Sequence, residues 1–199
     1  VERSRGLGDV YKRQRRKGVK SFSICIQAWR SSWIKRSRAY NFPLKIMPKI
    51  YLSLGSNIKP EENLNKAKEL LSQEYQLEKE SKTYKTKSEG FEGEDFLNQV
   101  VCLTTEDSAE EVVGMLKDIE KKIGRKDRSE KFSDREIDID LLLYGKYVGK
   151  ALGKDIPHKD IDLYRFVLEP LAEIAPNLIH PKHQEKISEI WKKKLNSFA

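Results

Sequence analysis

Residues 131–145 read KFSDREIDIDLLLYG, and the spacing of the acids within them could do chemistry. Residues two apart on a strand share a face, which puts Glu136, Asp138 and Asp140 on one side and Ile137, Ile139 and Leu141 on the other. Carboxylates gathered on one strand face repel each other and are costly to bury unpaired, so a cation should neutralise them. Magnesium suits the task, because it takes oxygen ligands and keeps water and phosphate oxygens in its shell. An exposed acidic face on an edge strand fits the same Asp-x-Asp spacing. Immediately upstream stand Arg125, Lys126, Arg128, Lys131 and Arg135, in a loop that also carries Phe132. Cations beside a two-carboxylate metal site are what phosphoryl transfer requires, and a solvated basic loop is the plain alternative. No G-x-x-x-x-G-K-[ST] occurs in the chain, which excludes a P-loop enzyme.

Other candidates are weaker alone. Phe96 and Asn98 share a strand face beside a glycine-containing loop, and an aromatic with an amide could cradle a flat heterocycle. A core Phe with a capping Asn explains them equally well. His158, in Ile156-Pro157-His158, reads as a surface histidine or as a donor to phosphate. His180 and His183 are three apart with no third ligand in view, and read as structural or exposed. Gly55-Ser56-Asn57 fits a turn or the start of a helix.

The elements that must position these residues fall in residues 47–199. Lys49–Leu54 alternates and reads as a first strand. Pro60 then opens a helix with Leu64, Ala67, Leu70 and Leu71 on one face. Residues 77–86 give a weak strand pattern, residues 88–95 a loop, and residues 96–103 a better strand. Ser108 with Glu111 forms a capping box for a helix carrying Val112, Val113, Leu116, Ile119 and Ile123, which Gly124 stops. Residues 136–144 read as the strongest strand, ended by Gly145. A variable loop follows, then helices over 163–174 and 187–195. The order β-α-β-β-α-β followed by helices predicts an α+β fold, a ferredoxin-like antiparallel sheet with helices packed on it and additional C-terminal helices.

The chain of 199 residues is 38% hydrophobic and 35% charged, with mean hydropathy -0.70, and holds no apolar run of spanning length. Two cysteines, Cys25 and Cys102, are too few for a disulfide scaffold or a cysteine zinc site. The net charge of +8 suggests a nucleic-acid binder, but the charge is divided. Residues 1–46 hold 13 Lys+Arg against Glu2 and Asp9, a net of +11, which leaves 26 basic and 29 acidic residues, a net of -3, for residues 47–199. The head begins with Val and shows no sustained period. Its RGLGDVYKRQ resembles translated sequencing-adaptor sequence, and its composition also fits a transit peptide or a basic RNA-binding arm. Residues 1–46 are therefore expected to be a disordered or non-native head, and residues 47–199 the functional domain.

Several motifs together carry a family resemblance. YLSLGSN (51–57), FLNQVV (96–101), IEKKIGR (119–125), KFSDREIDIDLLLYG (131–145), IPH (156–158) and RFVLEPLAEIAP (165–176) occur in order. The chain resembles the 6-hydroxymethyl-7,8-dihydropterin pyrophosphokinases of folate biosynthesis across residues 49–180. The resemblance implies a cytoplasmic, monomeric enzyme that moves pyrophosphate from ATP to the pterin hydroxymethyl group with two Mg2+ ions, leaving AMP. It implies that Asp138 and Asp140 bind the metal, and that Arg125 and Arg135 act on the phosphates. Glu120, Lys131, Arg135, His158 and Arg165 would contact ATP; Thr86, Phe96, Asn98, Phe132 and Phe166 would hold the pterin, with Phe132 and Phe166 sandwiching its ring. The chain departs from the family pattern where Trp-Gly-Pro-Arg is usual and Phe132-Ser133-Asp134-Arg135 stands. It departs again at Lys131 and Tyr164, both positions of arginine, and at Lys87-Ser88-Glu89, which replaces an apolar stretch. Competing readings are a non-catalytic nucleotide or pterin-binding module and an RNA-binding protein driven by the head. No nucleic acid or membrane partner is expected for the domain itself.

Overall fold

A computed structural model describes residues 47–88, 93–125 and 134–198, all within the unit Met47–Ala199. Lys131 and Phe132, with the rest of 126–133, and the head 1–46 lie outside the described residues. So does Glu89, with the rest of 89–92.

The expected strand–helix alternation is present. In chain order the elements are β1 (Lys49–Ser56), α1 (Pro60–Glu74), β2 (Gln76–Glu80), β3 (Tyr84–Thr86), β4 (Phe96–Thr104), α2 (Ala109–Ile123) and β5 (Asp138–Tyr144). They are followed by β6 (Gly149–Ala151), β7 (Lys154–Ile156), α3 (Asp160–Leu163), α4 (Arg165–Ile174) and α5 (Ile187–Lys194). The main sheet runs β2-β4-β1-β5, with β3 also on β4, and β1 is antiparallel to both its neighbours. That is an antiparallel sheet of the ferredoxin-like kind predicted above, with the weak strand pattern of residues 77–86 divided in two.

Strand periodicity sorts the core into two halves. Ile50, Leu52 and Leu54 of β1, Val101 and Leu103 of β4, and Ile139 and Leu141 of β5 pack under α1 and α2. The α2 helix is well specified: Ser108 Oγ accepts the Glu111 N–H, the Glu111 carboxylate accepts the Ser108 N–H at 2.8 Å, and Gly124 closes the helix at φ 112°. On the opposite face Tyr51, Val100, Cys102 and Leu142 pack against Ile161, Val167, Leu168, Leu171, Ile187 and Ile190 of the C-terminal helices. Cys102 is a free, buried core residue, as expected.

Three differences from the sequence reading matter for function. Strand β1 continues through Gly55 and Ser56, because Gly55 pairs with both Asn98 and Asp138. Strand β5 starts at Asp138, so Glu136 does not share a strand face with the aspartates; it sits in a bend where Ser56 Oγ donates to its carbonyl at 2.6 Å. The expected variable loop contains the β6–β7 hairpin, closed by Leu152 at φ 46° and Gly153 at φ 83°. Two positive φ values in a two-residue turn match the right-handed twist of the strands they join. Among the described residues, no helix is long and apolar enough to cross a membrane.

Candidate active site

The register of the sheet aligns the candidate residues in rows. Asn98, Gly55 and Asp138 lie opposite one another across β4, β1 and β5, and Val100, Ser53 and Asp140 form the next row on the same face. This face continues the one that α3–α5 cover at Tyr51, Val100, Cys102 and Leu142. Where apolar residues give way to Ser53, Gly55, Asn98, Asp138 and Asp140, the sheet becomes the floor of a cleft of about 490 Å³.

Asp138 accepts from Arg125 and from Arg135 through different carboxylate oxygens. Arg125 also donates to Glu120, whose Oε1 takes the Ile139 N–H at 2.7 Å. Burial pushes the Glu120 carboxyl up to about 7, against the Ile139 N–H and Arg125. Burial alone would lower the Arg125 pKa, but Asp138 and then Glu120 raise it above its ordinary value. Asp140 pairs with Lys154. Burial works to raise its carboxyl, yet Lys154, then His158 and Arg125, hold it below the usual range.

Asp140, His158 and Asp160 each bring a possible ligand atom to within 4.8 Å of the others. His158 is fixed by its backbone N–H, which donates to the Leu142 carbonyl at 2.9 Å, and its Nδ1 stands 3.5 Å from the Asp160 carboxylate. Burial raises the Asp160 carboxyl, partly offset by His158. Carboxylate oxygens are hard donors, so Asp140 and Asp160 fit Mg2+, with Asp138 beside them holding Arg125 and Arg135; the imidazole is a poorer ligand for that ion.

At the other end of the cleft, Asn98 Nδ2 donates to Thr86 Oγ1 at 2.8 Å. A Cβ added to Gly55 would stand 3.1 Å from Asn98 Oδ1 and 4.0 Å from the Phe96 ring, so the glycine makes room for this amide. Phe166 lines the cleft and stacks on Tyr164, with ring centroids 5.0 Å apart and planes 17° apart. The aromatic wall is thus built from two adjacent side chains at the start of α4. Tyr164 holds extended backbone before the helix, which divides the segment expected to be one continuous helix.

The structure brings Arg125, Arg135, Asp138, Asp140, His158, Thr86, Phe96, Asn98 and Phe166 to one cleft. Glu120 is largely buried behind it and lines a second cleft of about 330 Å³ with Val113, Leu116 and Ile139. Arg125 and Lys154 border both. Arg165, expected at ATP, is not among the residues lining either cleft. Its guanidinium donates to Glu169 one helical turn on at 2.8 Å and lies 5.7 Å from the Trp191 ring centroid. Lys131 and Phe132, expected at ATP and the pterin, lie outside the described residues. His180 and His183 line neither cleft: His180 is buried, and His183 pairs with Asp162 at 2.9 Å.

Sequence reasoning missed Lys154, Asp160, Ser53 and the part played by Asn57. Asn57 does not cap α1, whose N-cap is Lys59 without a side-chain bond. It donates to Asp134 Oδ1 at 2.6 Å and to the Glu94 carbonyl at 3.3 Å, and its Oδ1 accepts the Arg135 N–H at 2.6 Å. The Asp134 carboxylate, a departure from the family pattern, is thereby engaged by an amide. Gly153, at a turn position, was the available signal for the hairpin that delivers Lys154.

Residues 51–176 match the family model described as 7,8-dihydro-6-hydroxymethylpterin-pyrophosphokinase. The chain belongs to that family. Among its relatives, the 2-amino-4-hydroxy-6-hydroxymethyldihydropteridine pyrophosphokinase of Aquifex aeolicus is 39% identical over 145 residues, covering 72% of this chain and 90% of the relative. The enzyme of the same name from Haemophilus influenzae is 36% identical over 138 residues, covering 67% and 86%. A solved structure described as HPPK-DHPS in complex with substrates shares the fold at TM-score 0.61 and 15% identity. That match covers 76% of this chain, which spans 44% of the solved one. A Plasmodium falciparum HPPK-DHPS triple mutant gives TM-score 0.60 at 14% identity, covering 76% of this chain and 42% of that one.

Proposed function

We infer that this chain transfers pyrophosphate from ATP to the hydroxymethyl group of 6-hydroxymethyl-7,8-dihydropterin, giving AMP and the pterin diphosphate in folate biosynthesis. The observation that carries the reading is the sheet row in which Asn98 and Asp138 flank Gly55. It sets a heterocycle cradle beside paired arginines and carboxylates within one cleft. The domain of this activity is residues 47–199.

The pterin lies over Gly55, its N–H groups donating to Asn98 Oδ1, with Phe96 and the Tyr164–Phe166 pair supplying apolar contact. Phe132, outside the described residues, is the residue proposed for the second stacking face. The nucleotide base occupies the smaller cleft against Val113, Leu116 and Ile139, so the phosphates cross the border at Arg125. His158 donates to a phosphate oxygen. Mg2+, two ions held by Asp138 and Asp140 with Asp160 near, would neutralise phosphate charge and favour loss of the hydroxyl proton. Arg125 and Arg135 stabilise charge on the migrating group and keep its β-phosphorus in line between the pterin oxygen and the AMP leaving oxygen. No side-chain nucleophile is needed.

Steady-state turnover of Asp138→Asn and Asp140→Asn tests the assignment. A loss of about 10²-fold or more in kcat, with thermal melting close to wild type, supports it. Near-wild-type kcat in either variant contradicts it, and so does full activity in excess chelator.

A further inference from the structure

Lys154 reaches the site from outside the main sheet. It opens β7, directly after the Leu152-Gly153 turn, and its ammonium donates to Asp140 Oδ1. Its side chain is 39% exposed and borders both clefts. An ammonium therefore sits on one oxygen of the carboxylate that a divalent ion at Asp140 would share. Two cations on one carboxylate repel in a partly desolvated cleft, so arrival of the ion favours departure of the ammonium. Arg125 is tied to Asp138 and Glu120 together. Lys154 is a point charge on a flexible four-carbon stem and moves with less loss of geometry.

The charge balance sets the direction of that movement. The carboxylates of Asp138, Asp140 and Asp160, with Glu120 behind them, already share the cleft with Lys87, Arg125, Arg135, Lys154 and Lys159. A divalent ion adds further positive charge there, and the displaced ammonium then needs a new anion. The border between the clefts, where its stem already lies, is where the nucleotide phosphates run.

We propose that Lys154 is an exchangeable counter-cation, which holds Asp140 in the metal-free enzyme, yields that oxygen to Mg2+, and then pairs with a phosphate oxygen of the nucleotide. This positioning role rests on the pyrophosphate-transfer reading and deepens it. Metal entry frees the lysine for phosphate, so the two binding steps are coupled. The lysine weakens metal binding to the free enzyme and strengthens nucleotide binding to the metal-loaded one.

The test is titration of Mn2+ into the full chain without nucleotide, following the free ion by electron paramagnetic resonance, for wild type and Lys154→Met. The substitution keeps the stem length and removes the charge. Mn2+ should bind the variant about fivefold or more tightly than wild type. In saturating Mn2+, an ATP analogue with a methylene between the α and β phosphorus atoms should bind about fivefold or more weakly, and Lys154→Arg should restore that affinity. Lys154→Gln gives the same readout if the methionine variant does not fold. Unchanged or weaker Mn2+ binding in the charge-removed variant overturns the exchange, and unchanged analogue binding overturns the phosphate contact. AMP formation by wild type decides the activity separately: a wild type that makes AMP, with a variant that binds Mn2+ no better, sinks the exchange alone.

Discussion

Glu120 accepts the backbone N–H of Ile139 at 2.7 Å, at the residue between Asp138 and Asp140. The same carboxylate oxygen receives Arg125. One buried acid on α2 therefore fixes both the strand that carries the aspartates and a cation that faces them.

Removing that support should separate structure from activity. Glu120→Gln keeps an acceptor for Ile139 but gives up the charge on Arg125, and its kcat should fall about tenfold with little loss of stability. Glu120→Ala leaves a buried N–H without its partner and should cost about 1–3 kcal/mol in urea unfolding. An alanine variant as stable as wild type would contradict the anchoring role.

Gly55 should tolerate no side chain without moving Asn98. Gly55→Ala places a methyl group 3.1 Å from Asn98 Oδ1, and the amide must give way by a few tenths of an ångström in the cradle. KM for the pterin should rise about tenfold or more while KM for ATP changes less than twofold. Equal effects on both substrates would show that the sheet, not the pterin cradle, had been disturbed.

The β6–β7 turn holds a strained residue. Leu152 has φ 46° and an exposed side chain, and a left-handed backbone is costly for a branched residue. Leu152→Asn, which gives the favoured Asn-Gly turn, should stabilise the fold by about 0.5–1 kcal/mol in denaturant unfolding. A destabilised variant would mean that the leucine makes a contact that outweighs its strain.

His180 predicts an acid-side loss of stability. Burial, with His183 beside it, lowers its pKa from 6.5 to about 4. Its Nδ1 accepts the backbone N–H groups of Lys182 and His183, at 3.3 and 3.1 Å. Because the unfolded state binds the proton more readily, the stability this residue contributes is full above about pH 6.5 and is lost as pH falls toward about 4. Unfolding free energies at several pH values should show a shallower slope over that window in His180→Asn than in wild type. Identical slopes would contradict the assignment.

Much of this arrangement was legible in the sequence where a regular period or a cap was long enough to carry it. The capping box of Ser108 and Glu111, the stop at Gly124 and the shared face of Asp138 and Asp140 are local patterns, and the structure keeps all of them. Asn98 and Phe96 on one face of β4 were readable for the same reason. What was not legible depends on contacts distant in sequence. Glu136 reads as strand by alternation, but Ser56, 80 positions away, takes its carbonyl and the ladder begins at Asp138. Asn57 looks like a helix cap and instead ties down Asp134 and Arg135. Lys154 lies on a three-residue strand, too short to show a period. Arg165 follows Tyr164 by one position, yet that step on α4 directs its guanidinium to Glu169 and Trp191 and leaves Tyr164 on the cleft.

The most direct measurement is the identity of the nucleotide product when the protein is supplied with ATP, Mg2+ and 6-hydroxymethyl-7,8-dihydropterin. AMP should appear in equal amount with the pterin diphosphate, only when the pterin is present, and be lost in Asp138→Ala. ADP in place of AMP, or AMP formed without the pterin, would contradict pyrophosphate transfer at this site.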